Sequence, residues 1–146
     1  MSKRGEALVL RCARDDEREA LEELQRRASL ANPNDRPHLE AHPDAIHLPA
    51  AQIANGEVIV AEVNGEVAGF AAVVGGELDG LFVDPDLWRQ GIGRALVGEA
   101  AHLARRNGLS LTVIANPAAL EFYRRCGFSE EATVETRFGP GIRMSR

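Results

Sequence analysis

A chain of 146 residues, 45% hydrophobic and 27% charged, has room for one domain, 1–146, and for a core that needs no staples, since a fold of this size buries roughly 70% of its unfolded surface. Its formal net charge of −5 argues against a general nucleic-acid binder, which needs a basic surface to release counterions from phosphates; the same acidity suits a cationic substrate such as an amine, and suits solubility equally well. No apolar run nears the ~20 residues of a membrane span, and the opening "MSKRGEALVLRCARDD" holds only a short apolar stretch broken by Arg11, so neither a signal peptide nor a membrane partner is expected and the chain reads as cytoplasmic.

Residues 7–13, "ALVLRCA", read as a first strand. Asp15 and Asp16 are expected to cap a helix with Leu21, Leu24 and Ala28 on one face. From Asn32 to Pro49 the chain is rich in Pro, His and Asn and reads as irregular with one short helix. "EVIVAEVNGEVAGFAAVVGG" reads as a hairpin, two β-branched runs joined by Asn64-Gly65, which tolerates the positive φ of a type I′ turn. "ELDGLFV", 77–83, is the next strand. Leu96, Val97, Ala100, Leu103 and Ala104 form a helical stripe over 93–107, ended by Asn107-Gly108. Another strand, 109–115, follows. Pro117 opens a second helix carrying Leu120, Phe122 and Tyr123 and stopping at Gly127. The tail alternates around "ATVETRF", turns at Gly139-Pro140-Gly141 and ends in a short strand. This order predicts a mixed sheet with helices on its faces, an α/β or α+β fold. Cys12 and Cys126, far apart and outside any reactive motif, read as reduced, buried small hydrophobes.

Gly91 and Gly93 stand at the entrance of the 93–107 helix, with Arg89 and Arg94 on either side. A helix N-terminus carries unpaired N–H groups and partial positive charge, and a glycine lets an anion approach the backbone. The pattern describes a phosphate cradle; a tight strand-to-helix turn needing glycine for geometry alone is the other reading. A P-loop is excluded, because no Gly-Lys-Ser/Thr is present and Lys3 is the sole lysine. A Rossmann turn would need glycine where Leu96 stands, on a first strand, with an acid about 20 residues on.

Three stretches, "LFVDP", "RQGIGRAL" and "ANPAALEFYRRCGF", occur in that order within 77–128, and together they resemble the acyl-CoA-binding core of the GNAT superfamily of N-acetyltransferases. The specific motifs cover about a third of the chain, and the order of elements extends the likeness to nearly all of it. The family pattern Gln/Arg-x-x-Gly-x-Gly/Ala falls on Trp88-Arg89-Gln90-Gly91-Ile92-Gly93, with Trp88 departing at the first position. The resemblance implies a GNAT-type fold with splayed strands at the cofactor site. It implies that the amides of Arg89, Gln90, Gly91, Ile92, Gly93 and Arg94 receive the pyrophosphate of coenzyme A. The edge at Leu81, Phe82 and Val83 would pair with the pantetheine arm, as β-augmentation by a ligand, where strand 77–83 parts from 109–115. Asn116 matches a position that hydrogen-bonds that arm.

Acyl transfer from a thioester needs a neutral amine, a donor for the developing oxyanion and a donor or proton for the thiolate. By resemblance Tyr123, the sole tyrosine, stands near the sulfur as acid or hydrogen-bond donor; packing between helix and sheet, as for Phe122, is its structural alternative. Glu77 matches the position where some members, notably histone-type acetyltransferases, carry a glutamate base. Glu77 and Asp79, two apart on a strand, are expected on one face with Leu81 and Val83, Glu77 as first choice of base and Asp79 as second, each directly or through water. Strand 109–115 offers Leu111 and Thr112 but no acid. An acceptor of low pKa needs no side-chain base, and an N–H near Phe82 would serve the oxyanion. His38 and His42, four apart, invite a metal reading that Pro37 and Pro43 oppose, so no metal is expected. In the family this region covers the acceptor pocket, making Asn34, Asp35, His38, His42 and His47 candidate substrate contacts. The expected function is acetyl transfer from acetyl-CoA to a primary amine in a ternary complex. The alternatives are an acyl-CoA-binding regulatory module of the same fold and an enzyme of another phosphate ligand. Members of the family often dimerise, which makes a homodimer one expected assembly.

Overall fold

A computed structural model describes residues 7–137 and 139–146. Its strands are β1 (Leu8–Cys12), β2 (Val58–Val63), β3 (Glu66–Val74), β4 (Glu77–Val83), β5 (Thr112–Ala115), β6 (Ser129–Thr136) and β7 (Gly139–Ser145). Its helices are α1 (Arg18–Ala31), α2 (Arg36–Ala41), α3 (Ala50–Ala54), α4 (Ile92–Arg106) and α5 (Leu120–Arg125). The strands form one sheet in the order β1-β2-β3-β4-β5-β7-β6. Neighbours are antiparallel except β4 and β5, which are parallel. Among the described residues no helix is long and apolar enough to cross a membrane.

The two faces of the sheet bury separate cores. On one, α4 lays Leu96, Val97, Ala100 and Ala104 against Ile59, Ala71, Val73 and Val113, with Tyr123 and Phe128 completing the layer. Leu96 and Val97 are fully buried, which contributes about 1.5–3 kcal/mol each. On the other, Leu21 and Leu24 of α1 pack with Leu48, Ile53, Val58, Val60 and Phe70. The Asn64-Gly65 turn is left-handed at both residues, φ 53° and 83°, as a type I′ hairpin requires.

Two bulges set the strand faces. Register slips between β2 and β3 at Ala61/Glu62, leaving Ala68 unpaired, and between β3 and β4 at Ala72/Val73, leaving Asp79 unpaired. The second bulge corrects the expected alignment of β4. Leu78 belongs to the α4-side core, and Leu81 and Val83 pack against the same core, an odd step that a regular strand cannot make. Leu81 and Val83 therefore do not continue the face of Glu77, because the extra residue inverts the alternation.

Other expectations are also revised. Asp15 and Asp16 do not cap α1; they lie in a 3₁₀ turn with no side-chain cap bond. Glu17 does the local work, its carboxylate accepting from the Arg14 N–H at 2.7 Å and from Arg11. The 32–49 segment holds a 3₁₀ turn, Pro43–Ala45, besides its short helix, and α3 is a further helix the pattern missed. Pro37 is accommodated in the first turn of α2, and the helix stops before Pro43. Strand 109–115 shrinks to β5, with Leu109 exposed. Gly139-Pro140-Gly141 is not the turn but the start of β7, and the reversal falls between the paired residues Thr136 and Gly139. Pro140 is tolerated because β5 reaches β7 only from Ile142 onward, so β7 is an edge there. Cys126 is buried as expected, whereas Cys12 is exposed, at the end of an edge strand that has a neighbour on one side only.

Candidate functional site

The ladder between β4 and β5 consists of two pairs, Glu77↔Thr112 and Leu78↔Val113. Beyond them the strands part and open a cleft of about 720 Å³, within the usual range for small-molecule sites. One wall comes from β4, the 84–94 loop and the start of α4; the other from the end of β5, Asn116 and α5; the end of α1 and the following turn close the third side. The Asp84 N–H donates to Ala68 O at 2.8 Å, so its neighbour Val83 turns its N–H and C=O away from β3, toward the gap. Leu81 shares that orientation. Phe82 does not. Its carbonyl oxygen lies 2.7 Å from where a Cβ on Gly69 of β3 would stand, and its ring packs on the α1 side. The backbone open to a ligand is thus that of Leu81 and Val83.

The 89–94 loop is built to present amides. Arg89 and Gly91 both adopt left-handed conformations, φ 66° and 83°; for Arg89 this costs roughly 1–2 kcal/mol. Alternating hands in successive residues form a concave nest of N–H groups. The first α4 amide to find a carbonyl is that of Ala95, to Gly91 O at 3.0 Å. The amides before it, from Arg89 to Arg94, meet no backbone acceptor among the described residues. A Cβ on Gly91 would meet nothing within 4 Å, and one on Gly93 would come 3.3 Å from the Phe122 ring. Gly91 is therefore required by its φ, Gly93 by the close approach of α5. Arg89, Arg94 and Arg125 line the cleft, Ile92 is a buried anchor, and Gln90 is exposed outside the lining.

Trp88 has a role that the sequence pattern did not show. Its indole N–H donates to Val83 O at 2.8 Å, tying the loop to the end of β4. Arg27 of α1 adds a second tie, its guanidinium 2.8 Å from Asp84. Burial works to raise the Asp84 carboxyl, but Arg27 and the Asp86 N–H hold it below the ordinary aspartate range.

Tyr123 projects from α5 with its ring buried between Phe122 and Phe128, edge to face at 5.1 and 5.4 Å. Its hydroxyl has no hydrogen-bond partner among the described residues and lies at the cleft. Burial, then the neighbouring Cys126 and Asp35, push its pKa well above the ordinary phenol value, so the group stays protonated with its O–H available as a donor. Phe122, expected to pack, is half open and lines the cleft. Asn116 caps the turn after β5, its Oδ1 accepting from the Ala118 N–H at 2.8 Å; its Nδ2 has two further donor positions.

Of the β4 carboxylates, Asp79 lines the cleft at its bulge and Glu77 does not, being held in the closed end of the ladder. Of the five acceptor-side candidates, Asn34 and Asp35 line the cleft, while His38, His42 and His47 lie outside it. Asp35 is half-buried, and burial pushes its carboxyl up against the opposing pull of His38. Among the described residues no three His, Cys, Asp or Glu side chains are grouped to hold a metal ion.

Residues 18–128 match the model of the acetyltransferase (GNAT) family. The chain is 44% identical over 64 residues to the peptidyl-lysine N-acetyltransferase YjaB of Salmonella typhimurium, covering 43% of each protein. It is 35% identical over 91 residues to the N-acetyltransferase MJ1207 of Methanocaldococcus jannaschii, covering 52% of this chain and 40% of that one. The matched region thus spans less than half the length of either curated relative. Among solved structures, apo YjaB from Escherichia coli superposes with a TM-score of 0.71 at 25% identity, covering 95% of this chain and 97% of that one. The PaiA N-acetyltransferase of Thermoplasma acidophilum, solved in complex with coenzyme A, shares the fold with a TM-score of 0.73 at 18% identity, over 96% and 99% of the two chains.

Proposed function

The chain belongs to the acetyltransferase (GNAT) family, a family of acyl-CoA-dependent N-acyltransferases, and on that premise we propose that it moves an acetyl group from acetyl-CoA to a primary amine by direct attack with both substrates bound. The observation that carries this reading is the broken β4–β5 ladder beside a loop of unpaired amides. The site fits the donor on its own chemistry. The amides of residues 89–94 offer a diphosphate a nest with Arg89 and Arg94 on its rim. The gap-facing backbone of Leu81 and Val83 offers the amide-bearing arm a strand edge; because Trp88 occupies the Val83 carbonyl, the Val83 N–H is the group left for a ligand. Asn116 Nδ2, one residue past the end of β5, is a donor for the same arm.

Bound there, acetyl-CoA supplies an acyl carbon activated as a thioester. Tyr123 donates from its hydroxyl to the departing sulfur, acting as a hydrogen-bond donor more than as a strong acid because its pKa is raised. With the Val83 N–H given to the arm, the Leu81 N–H, two residues further from the amide loop, is the donor for the acyl oxygen. The acceptor enters from the α1 side, past Asn32 and Asn34, and sheds its proton to a carboxylate of the cleft. A screen for acetyl-CoA-dependent thiol release over an amine library, from polyamines to lysine peptides, tests the reading. Turnover with one class is the expected result. Tight coenzyme A binding without acetylation of any amine would indicate a binding module instead, and preference for ATP or NAD in calorimetry would remove the donor assignment.

A further inference from the structure

We propose that Asp35, in the turn between α1 and α2, is the carboxylate that docks the acceptor as an ammonium ion and takes its first proton, in place of a carboxylate on β4. The inference rests on the acetyltransferase reading and selects the acceptor as an amine that arrives charged.

Three observations converge on Asp35. It lines the same cleft as Tyr123, on the side closed by the end of α1 and the following turn, and its charge, with burial and Cys126, raises the pKa of the Tyr123 hydroxyl. Its carboxylate accepts no hydrogen bond and joins no ion pair among the described residues. Only one other acid, Asp79, lines the cleft among the described residues. Finally, it is half-buried, with His38 the one charge that opposes its desolvation, and a desolvated carboxylate is a strong attractor for a cation and a better proton acceptor than an exposed one. Asp79 lines the cleft too, but it is exposed, and Glu77 is outside the lining. The titratable groups acting on or acted on by Asp35 are His38 on α2 and Tyr123 on α5; Arg125, Asp79, Arg89 and Arg94 line the same cleft.

The proton balance closes with these groups and solvent. Two protons leave the ammonium nitrogen as it becomes an amide. The first goes to Asp35 and frees the lone pair. That pair forms the C–N bond as the C–S bond breaks; the sulfur leaves as a thiolate held by the Tyr123 hydrogen bond, and the nitrogen's second proton reaches it by way of solvent. Asp35 then returns its proton to solvent.

The test compares Asp35→Asn, Asp79→Asn and the unmodified chain, using acetyl-CoA and a lysine-containing peptide as probe acceptor. Asp35→Asn is expected to lower kcat/KM by about 100-fold or more at neutral pH, while Asp79→Asn changes it only a few-fold. The loss should shrink as pH rises, since a neutral amine needs no base, and should shrink for trifluoroethylamine, which is already neutral at assay pH. Coenzyme A affinity should be unchanged. A second readout needs no acceptor. A carboxyl whose pKa is raised in the fold adds stability below its ordinary pKa and loses it as pH rises through the raised value; Asp35→Asn is therefore expected to raise Tm at neutral pH. Unchanged turnover of the lysine peptide by Asp35→Asn, a pH-independent loss, or a lowered Tm would each overturn the assignment. A chain that acetylates no amine at all would instead remove the reading beneath it.

Discussion

Replacing Tyr123 with Phe separates packing from chemistry. The ring is 9% exposed and wedged between two other aromatics, and Phe keeps all of that contact. The hydroxyl makes no hydrogen bond within the described residues, so the ~1 kcal/mol of a lost intramolecular bond does not arise, and stability should hold to within about 0.5 kcal/mol. Turnover depends on the hydroxyl alone. A positioned donor or acid contributes about 10²–10⁴ in rate, and the raised pKa places Tyr123 at the lower end, as a hydrogen-bond donor. A fall in kcat of about 100-fold, near 2.7 kcal/mol, is expected, with KM for acetyl-CoA little changed. The sign of the pH dependence follows from the same shift. Tyr123 stays protonated past the ordinary phenol range, so kcat should show no alkaline limb from it near pH ~10, while the stability it contributes in neutral form declines only above that pH. The measurements are steady-state kinetics across pH and thermal unfolding of both chains. A Phe variant with unchanged kcat, or one whose loss tracks a lowered Tm, would refute the role given to the hydroxyl.

Gly69→Ala would place a Cβ 2.7 Å from Phe82 O and 3.3 Å from Val83 Cα; a loss of about 1–3 kcal/mol in chemical denaturation is expected, with a raised KM for acetyl-CoA because the strand edge shifts. Arg89→Gly relieves a left-handed arginine, so Tm should rise while coenzyme A affinity, by calorimetry, falls a few-fold and loses some of its salt dependence. Trp88→Phe removes the indole bond to Val83 O and should raise KM for acetyl-CoA without a large change in kcat, since the donor edge is loosened and the Tyr123 side is untouched.

What could be read ahead of the structure was what depends on local pattern. The α4 stripe, the Asn64-Gly65 hairpin and the glycine loop each announce themselves within a few residues. The bulge at Asp79 could not be foreseen, because nothing in "ELDGLFV" marks which residue the ladder with β3 will skip; that one skip separated Glu77 from the cleft and gave it Asp79. Asp35 stood among five polar candidates that composition could not rank; its place in the cleft with Asn34, and its burial where Asn34 is exposed, distinguish it. Trp88 looked like a departure from a motif, and its partner lies across a turn that the motif does not describe.

A sheet that stops pairing after two rungs is an unfinished hydrogen-bond surface held open by its own helices. The donor molecule would finish it, acting for a short distance as an extra strand. Its arrival should therefore register in the protein itself: the amides of Leu81 and Val83, exchanging freely with solvent when the gap is empty, should slow when it is filled, and the two halves of the sheet should become mechanically continuous only while the donor is bound.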